Sequence, residues 1–502
     1  MNNVGTARPI HDAKGKATGY TKYAGDLSLP NMAYLCMLHS KIPHGYVKAV
    51  HAEKALALPG VYGVYHCLNT TDRKYNRYHS NFDQAYLPNE ECAFNDYVRF
   101  VGDKIGVVAA CDQETAERAA RLVEVEYEEL PFSIGFDDTL AGKNCLEGET
   151  PVRDEYELDV GEKQGNAEGL IEVCSTMELP RLHHATMETH ACIADYDPYS
   201  DMLTVYCPNQ AVHGIRTVLA DFLEMPESHV RVVKATMGGS FGAKQEWFLE
   251  PVAALVAKKL CCPVKLVYSR GEAMTDTIVR GAMRMSARGY YTPDGEMKEI
   301  YCDVTLDAGA YIGNAGDYVR ALAGKPTRCY RIPYMHYHGQ VISSNSPVSG
   351  AFRSWSAAEE ALMMERQLDA AAEKLGMDRL AIRLKNVARS GEEDKKLHLS
   401  LEDIRIGDAI TLGSEKFGWD KLKAEDAAFN ASQQRYRRGV GIGIGGHGNT
   451  YFPRFNDYGE GSISLNADGS MQANFTLHDH GCGTVTAMRM IAAEVLKVPE
   501  DK

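Results

Sequence analysis

Four stretches of the sequence carry residue types that could do chemistry. Gly238-Gly239-Ser240-Phe241-Gly242-Ala243-Lys244 follows a predicted strand. Glycines there let backbone N–H groups approach a bulky anion. Ala243 precedes Lys244 and Gln245 follows it, so the stretch is not a P-loop. On composition alone a plain tight turn is an equal reading. Gly441-Ile442-Gly443-Ile444-Gly445-Gly446 contains G-x-G-x-x-G, but His447-Gly448-Asn449-Thr450 and Pro453 come next. A dinucleotide fold needs a helix at that point, so it is rejected. His183, His184 and His190 fit no zinc spacing and are expected to be packed or solvated. Asp479, His480 and Cys482 suit a thiol nucleophile only if the cysteine pKa is depressed and a base lies beside it.

The elements that must position these groups are legible in part. Ile105 to Ala110 reads as a strand. Gln113 to Leu122 reads as a helix with Asp112 as its N-cap, and Val123 to Tyr127 as a half-buried strand. Apolar periodicity predicts helices over 211–223 and 359–375, the second stopped by Gly376. Asp197-Pro198, Pro293-Asp294-Gly295 and Asp468-Gly469 read as hairpin turns. The charged, Gly-containing stretches at 141–166 and 389–396 suggest breaks. The expected domains are therefore 1–135, a linker 136–166, 167–395 and 396–502. Strand, loop, helix and Leu223-Glu224-Met225-Pro226-Glu227 recur 273 residues later, ending Leu496-Lys497-Val498-Pro499-Glu500. The first copy continues into a strand, whereas the second stops at Lys502. The expectation is a C-terminally truncated chain, inactive by itself.

Composition bounds the rest. The 502 residues suffice for three or four domains at roughly 150 residues each. Lys+Arg 54 against Asp+Glu 68 gives a net charge of −14, which argues against nucleic acid as a partner. No apolar run reaches the ~20 residues that cross a bilayer. The polar N-terminus, with no apolar signal core, points to a cytoplasmic location. The 13 cysteines include no Cys-x-x-Cys pair, so an iron–sulfur cluster or structural zinc in this chain is not expected.

Taken in order, the motifs resemble the molybdenum-cofactor-binding large subunit of the xanthine dehydrogenase and aldehyde oxidase molybdenum hydroxylases, with xanthine dehydrogenase the nearest match. Arg8-Pro9, Thr18-Gly19 and Tyr23-Ala24-Gly25-Asp26 open the resemblance. Val125-Glu126-Tyr127-Glu128-Glu129-Leu130-Pro131 marks the end of the first domain. The glycine loop, Gly350-Ala351-Phe352-Arg353 and Arg383-Leu384-Lys385-Asn386 follow. The resemblance covers nearly the whole chain. It implies an α+β fold: an α/β hammerhead domain, then a two-lobed molybdopterin-binding domain of mixed sheets and helices, its second lobe incomplete.

The resemblance also implies the chemistry. The cofactor would be molybdenum–molybdopterin, expected as the cytosine dinucleotide. 2Fe-2S and FAD would reside in partner subunits, in a dimer of heterotrimers. Gln210 would hydrogen-bond an oxygen ligand of molybdenum from outside the coordination sphere. Gly239 and Phe241 would lie against the cofactor, with Arg353 as a permanent cation beside it. Cys482 stands where the family usually places a glutamine against the pterin. Gln245, in place of a frequent glutamate, would face the substrate with Arg320, Trp355, Tyr451 and Phe452. Core packing is a near-even reading for Trp355 and Tyr451. The general-base glutamate is expected beyond Lys502. The implied reaction is hydroxylation of a purine-like ring carbon with oxygen from water. Aldehydes or a nicotinate-like ring remain open as substrates, as does a non-catalytic module that docks cofactor or partners.

Overall fold

The computed structural model describes residues 3–78, 88–143, 146, 150–163, 168–432, 435–448 and 459–500. Two sheets carry the architecture. The first has seven strands, in the order Val230–Lys234, Met202–Cys207, Ala191–Asp197, Val264–Val267, Ala33–His39, Lys104–Ala110 and Val61–His66. The second has five, in the order Ile171–Leu179, Ala282–Tyr291, Met297–Gly309, Tyr334–Ser343 and Val152–Gly161.

Each sheet follows from local sequence. Lys104–Ala110 is apolar after its first residue and buried throughout, as a central strand covered on both faces must be. The three predicted turns close the hairpins Ala191–Asp197/Met202–Cys207, Ala282–Tyr291/Met297–Gly309 and Gly461–Leu465/Met471–Phe475. Helix Glu250–Leu260 carries Pro at its first turn, where no N–H is missed, and ends at Cys261 with φ 51°. It is buried over most of its length against the first sheet. Helix Ala357–Leu375 covers the second sheet and ends at Gly376, φ 64°. Its Gln367 donates to Val173 O (2.9 Å) and accepts from Ser175 Oγ (2.6 Å), satisfying a fully buried amide.

The two large sheets and a small hairpin run across the expected domain cuts. Strands of the first 135 residues and strands from 191–267 form one sheet, joined where Ala33–Leu35 pairs with Val264–Leu266. Hydrogen bonding thus continues across the expected domain boundary. The stretch 136–166, read as a linker, contains helix Phe136–Leu140 and the ten-residue edge strand Val152–Gly161. Alternation hidden in its acidic composition (Tyr156, Leu158 and Val160 inward) is what places that strand. The cut at 395 falls inside a small hairpin, Glu393–Asp394 with Leu399–Ser400. Buried Asp394 accepts from Thr327 Oγ1 at 2.9 Å and ties this hairpin to the first lobe.

The internal repeat survives where it was sharpest. Helices Val212–Phe222 and Thr484–Leu496 are each followed within two residues by a left-handed residue, Glu224 (φ 54°) and Lys497 (φ 57°). Those two positions are separated by the same 273-residue interval as the sequence repeat. Among the described residues no helix is long and apolar enough to cross a membrane.

Candidate functional site

The glycine loop continues from strand Val230–Lys234 of the first sheet, and the segment 350–356 leads from the second sheet into helix Ala357–Leu375. They meet at the seam between the sheets. Gly242, at φ 103°, lies so close to the other segment that a Cβ would sit 2.4 Å from Ala351 O. Arg353 N donates to Phe241 O at 2.8 Å, and the Arg353 guanidinium lies 6.0 Å from the Phe241 ring centre. Three of the expected cofactor residues, Gly239, Phe241 and Arg353, are thereby brought together.

Gln210 joins them from the turn before helix Val212–Phe222. Its backbone N–H donates to Lys244 O (2.8 Å), and its Oε1 accepts from Ser240 Oγ (2.8 Å). With the oxygen engaged, the Nε2 hydrogens face outward as donors. The N–H groups of Gly239, Ser240 and Phe241 have no partner among the described residues, and Arg353 has no carboxylate partner there. A permanent cation, three unengaged N–H groups and an amide donor form a donor set suited to an anionic, oxygen-rich group. The residues present therefore fit a molybdenum–pterin at this place.

Cys482 lies on a loop of the second copy of the repeat. Asp479 caps its loop, accepting from Gly481 N (2.8 Å), Gly483 N (3.3 Å) and Val485 N (3.2 Å). Lys234 Nζ donates to Asp479 O at 2.6 Å, docking the loop on the strand that feeds the glycine loop. Cys482 is exposed, and the Thr484 hydroxyl at 2.9 Å holds its thiol below the ordinary value. The backbone of His480 also lowers it, while the His480 ring makes no hydrogen bond to that sulfur among the described residues.

The substrate-facing residues divide. Gln245 and Trp355 are together: the indole N–H donates to Gln245 Oε1 at 3.3 Å. Trp355 packs against the cores of both sheets and stacks obliquely on Tyr318, 5.3 Å between ring centres. Arg320 is elsewhere. It follows Tyr318 by two positions on helix Ala315–Leu322, about 200° around the axis. Its guanidinium grips Asp154 through two hydrogen bonds of 2.7 and 2.8 Å. The charge expected to face substrate is thus paired on the far side of the helix. Tyr451 and Phe452 lie outside the described residues.

Sequence reading missed four supporting features. Ser354, Trp355 and Ser356 all have positive φ (80°, 47° and 68°), three consecutive non-glycine residues in a region each enters at a cost of about 1–3 kcal/mol. His184 Nε2 bonds Ala351 O and His190 Nε2 bonds Ala243 O, both at 2.9 Å, so these histidines brace the two loops. Burial pushes their pKa values down to about 4 and about 3, leaving them neutral. No group of His, Cys, Asp and Glu able to hold a metal occurs among the described residues.

Glu246 is the fourth. It is fully buried beside Gln245, accepting from Asn314 Nδ2 (3.0 Å) and Ala351 N (3.3 Å) while Oε2 has no partner. Burial pushes its pKa up to about 8, against the pull of Arg77. Its folded pKa exceeds the unfolded value, so below about pH 4 both states are protonated and it costs nothing. As pH rises toward 8 only the unfolded state loses the proton, and stability falls. Glu246→Gln keeps the two accepted hydrogen bonds and removes this penalty. The variant is expected to be more stable than the parent at pH 8 by about 2–4 kcal/mol, and equal to it near pH 4, in melts at both pH values.

The chain matches known proteins over nearly its whole length. The family described as molybdopterin cofactor-binding domain matches residues 152–387, and a second domain of that description matches 412–502. The aldehyde oxidase and xanthine dehydrogenase a/b hammerhead domain matches 18–131. The chain is 29% identical, over 97% of its length, to the xanthine dehydrogenase molybdenum-binding subunit of Escherichia coli O157:H7, of which it covers 65%. It is 30% identical to the nicotinate dehydrogenase large molybdopterin subunit of Eubacterium barkeri, covering 76% of this chain and 88% of that one. The fold matches quinoline 2-oxidoreductase from Pseudomonas putida with a TM-score of 0.87 at 22% identity, over 99% of this chain and 66% of that one. The chain spans 65% of the length of the xanthine dehydrogenase subunits it matches.

Proposed function

Since the chain belongs to the large, molybdopterin-binding subunits of the aldehyde oxidase and xanthine dehydrogenase family of molybdenum hydroxylases, a family of oxidoreductases, we propose that it serves in the hydroxylation of a planar, purine-like nitrogen heterocycle. When bound, the molybdenum–pterin supplies the two-electron chemistry and delivers oxygen drawn from water. The residues of this chain do the rest. Arg353 and the N–H groups of Gly239, Ser240 and Phe241 hold the anionic cofactor. Gln210 donates toward its oxygen side, and Cys482 borders it from the second lobe. Trp355 offers a flat ring for stacking, worth about 0.5–1.5 kcal/mol beyond burial. Gln245, whose Oε1 takes the indole N–H, keeps Nε2 to donate to a ring nitrogen or carbonyl.

The Gln245–Trp355 pair carries the reading, because it combines a stacking surface with a neutral donor. An aldehyde or nicotinate-like substrate draws instead on the Arg320–Asp154 ion pair, which removes the free cation a charge-developing purine would use. Iron–sulfur and FAD subunits belong to the proposal as the route by which electrons leave, as does the cytosine dinucleotide form of the pterin. Steady-state assays of the full-length complex separate the readings. Hypoxanthine and xanthine are expected to turn over faster than aliphatic aldehydes, and Gln245→Ala to cost purine turnover about tenfold and aldehyde turnover little. Equal or faster aldehyde turnover overturns the purine reading.

A further inference from the structure

The three left-handed residues at 354–356 need more than the local hydrogen bonds of their serines, Ser354 Oγ accepting from Ala358 N (3.2 Å) and Ser356 Oγ donating to Trp355 O (2.6 Å). Two cations supply it. Arg280, stacked on Phe352 with 4.2 Å to the ring centre, donates Nη2 to Arg353 O at 3.1 Å. Lys325 donates Nζ to Trp355 O and, at 2.8 Å, to Ser356 Oγ. The carbonyls on either side of Ser354 are therefore each held by a buried or half-buried cation. Below them, Tyr318 Oη donates to Glu359 Oε1 (3.0 Å), and Arg280 pairs with Glu359 at 2.8 Å. The ring that stacks on Trp355 is fixed by the same carboxylate.

We propose that Lys325 is a positioning residue: its ammonium clamps the Trp355 carbonyl and Ser356 hydroxyl, fixing the left-handed segment and with it the plane of the indole. This deepens the functional reading above and rests on it only where substrate is concerned. The clamp needs the charged amine as a strong donor. Burial lowers the Lys325 pKa to about 8, offset by Glu360 and Glu359 and assisted by Arg328 and Lys396. Glu360 is itself buried and pushed up to about 8, and His447 also faces this group. The clamp is complete below about pH 8 and weakens above it. Lys325→Arg keeps a donor that stays charged throughout.

Trp355 is half-buried, whereas Trp247 and Trp419 are 1% and 7% exposed. Acrylamide quenching of the fluorescence that Trp355→Phe removes therefore reports this loop in the full-length enzyme without substrate. Quenching is expected to rise about twofold between pH 7 and 9.5 in the parent, to be high at both pH values in Lys325→Met, and low at both in Lys325→Arg. The KM for the heterocycle is expected to follow quenching, rising about tenfold in Lys325→Met, with kcat changing less. Quenching that stays flat with pH in the parent, or is unaltered in Lys325→Met, overturns the clamp. Quenching that behaves as expected beside a KM indifferent to Trp355→Phe supports the clamp and overturns the stacking role of Trp355.

Discussion

Gly242→Ala is expected to lower the molybdenum content of the purified enzyme tenfold or more while the two sheets stay folded. Two separate costs meet at this residue. Its φ of 103° is one that L side chains seldom adopt, and the added Cβ would sit 2.4 Å from Ala351 O and 2.8 Å from Ala351 C. Both of those atoms are backbone, so no rotamer change relieves the clash. The glycine loop and the segment 350–353 must part. Separation breaks the Arg353 N to Phe241 O hydrogen bond and carries the Arg353 guanidinium away from the three free N–H groups. A strain of about 1–3 kcal/mol at a single residue corresponds to roughly a five- to hundredfold loss of binding. Molybdenum per polypeptide, measured beside far-UV circular dichroism, checks the prediction. A folded variant with full molybdenum would show that the loop contact is dispensable.

Lys104→Met is expected to destabilise the protein by about 3–5 kcal/mol. The Lys104 side chain is fully buried and touches Glu91 Oε1 at 2.7 Å and Asp276 Oδ1 at 3.5 Å. Glu91 also takes Arg77, through Nε at 2.7 Å and through Nη2. Asp276 takes His39 Nε2 at 3.2 Å and the Tyr268 hydroxyl. Removing the ammonium leaves Glu91 with Arg77 alone and Asp276 with only His39 and the Tyr268 hydroxyl. Replacing a whole buried pair by apolar residues is often neutral, so Lys104→Met with Asp276→Leu should recover part of the loss.

Acid separates this cause from lost packing. Burial pushes the Asp276 carboxyl up, but Lys104 and His39 pull it down to about 2. The folded pKa lies below the unfolded value of about 4, so the network stabilises fully above pH 4 and loses that contribution as pH falls toward 2. The gap between parent and Lys104→Met is expected to be widest at pH 7 and to shrink by pH 3, in melts at both. A gap independent of pH would assign the effect to packing alone.

Much of the fold was legible in local sequence, for identifiable reasons. The helix expected at 359–375 spans Ala357–Leu375, because apolar residues recur on one face and Gly376 supplies the left-handed stop. Asp112 caps helix Gln113–Ala120 by accepting from Thr115 N at 2.7 Å. Strand Val152–Gly161 was not legible, because its outward face is acidic and its composition resembles a connector. The continuous seven-stranded sheet was not legible either. Its joining pair, Ala33–Leu35 with Val264–Leu266, lies more than two hundred residues apart, and no local signal encodes a partner.

The site divides along the same line. The sequence determined which residue types could cradle an anion, and in what order: the glycine loop, Arg353, Gln210, the Cys482 loop. Side-chain chemistry and local backbone freedom are properties a chain carries with it. Only the tertiary structure decided which of these groups meet and which are spent on one another. Arg320 was chosen as a free cation, yet Asp154 on the edge strand of the second sheet takes its charge. Ser354, Trp355 and Ser356 gave no warning of left-handed backbone, since serine and tryptophan do not favour it; cations from distant helices and strands hold it there. Pairing and strain depend on what the folded chain brings within a few ångströms, and for these residues that was set by the packing of two sheets.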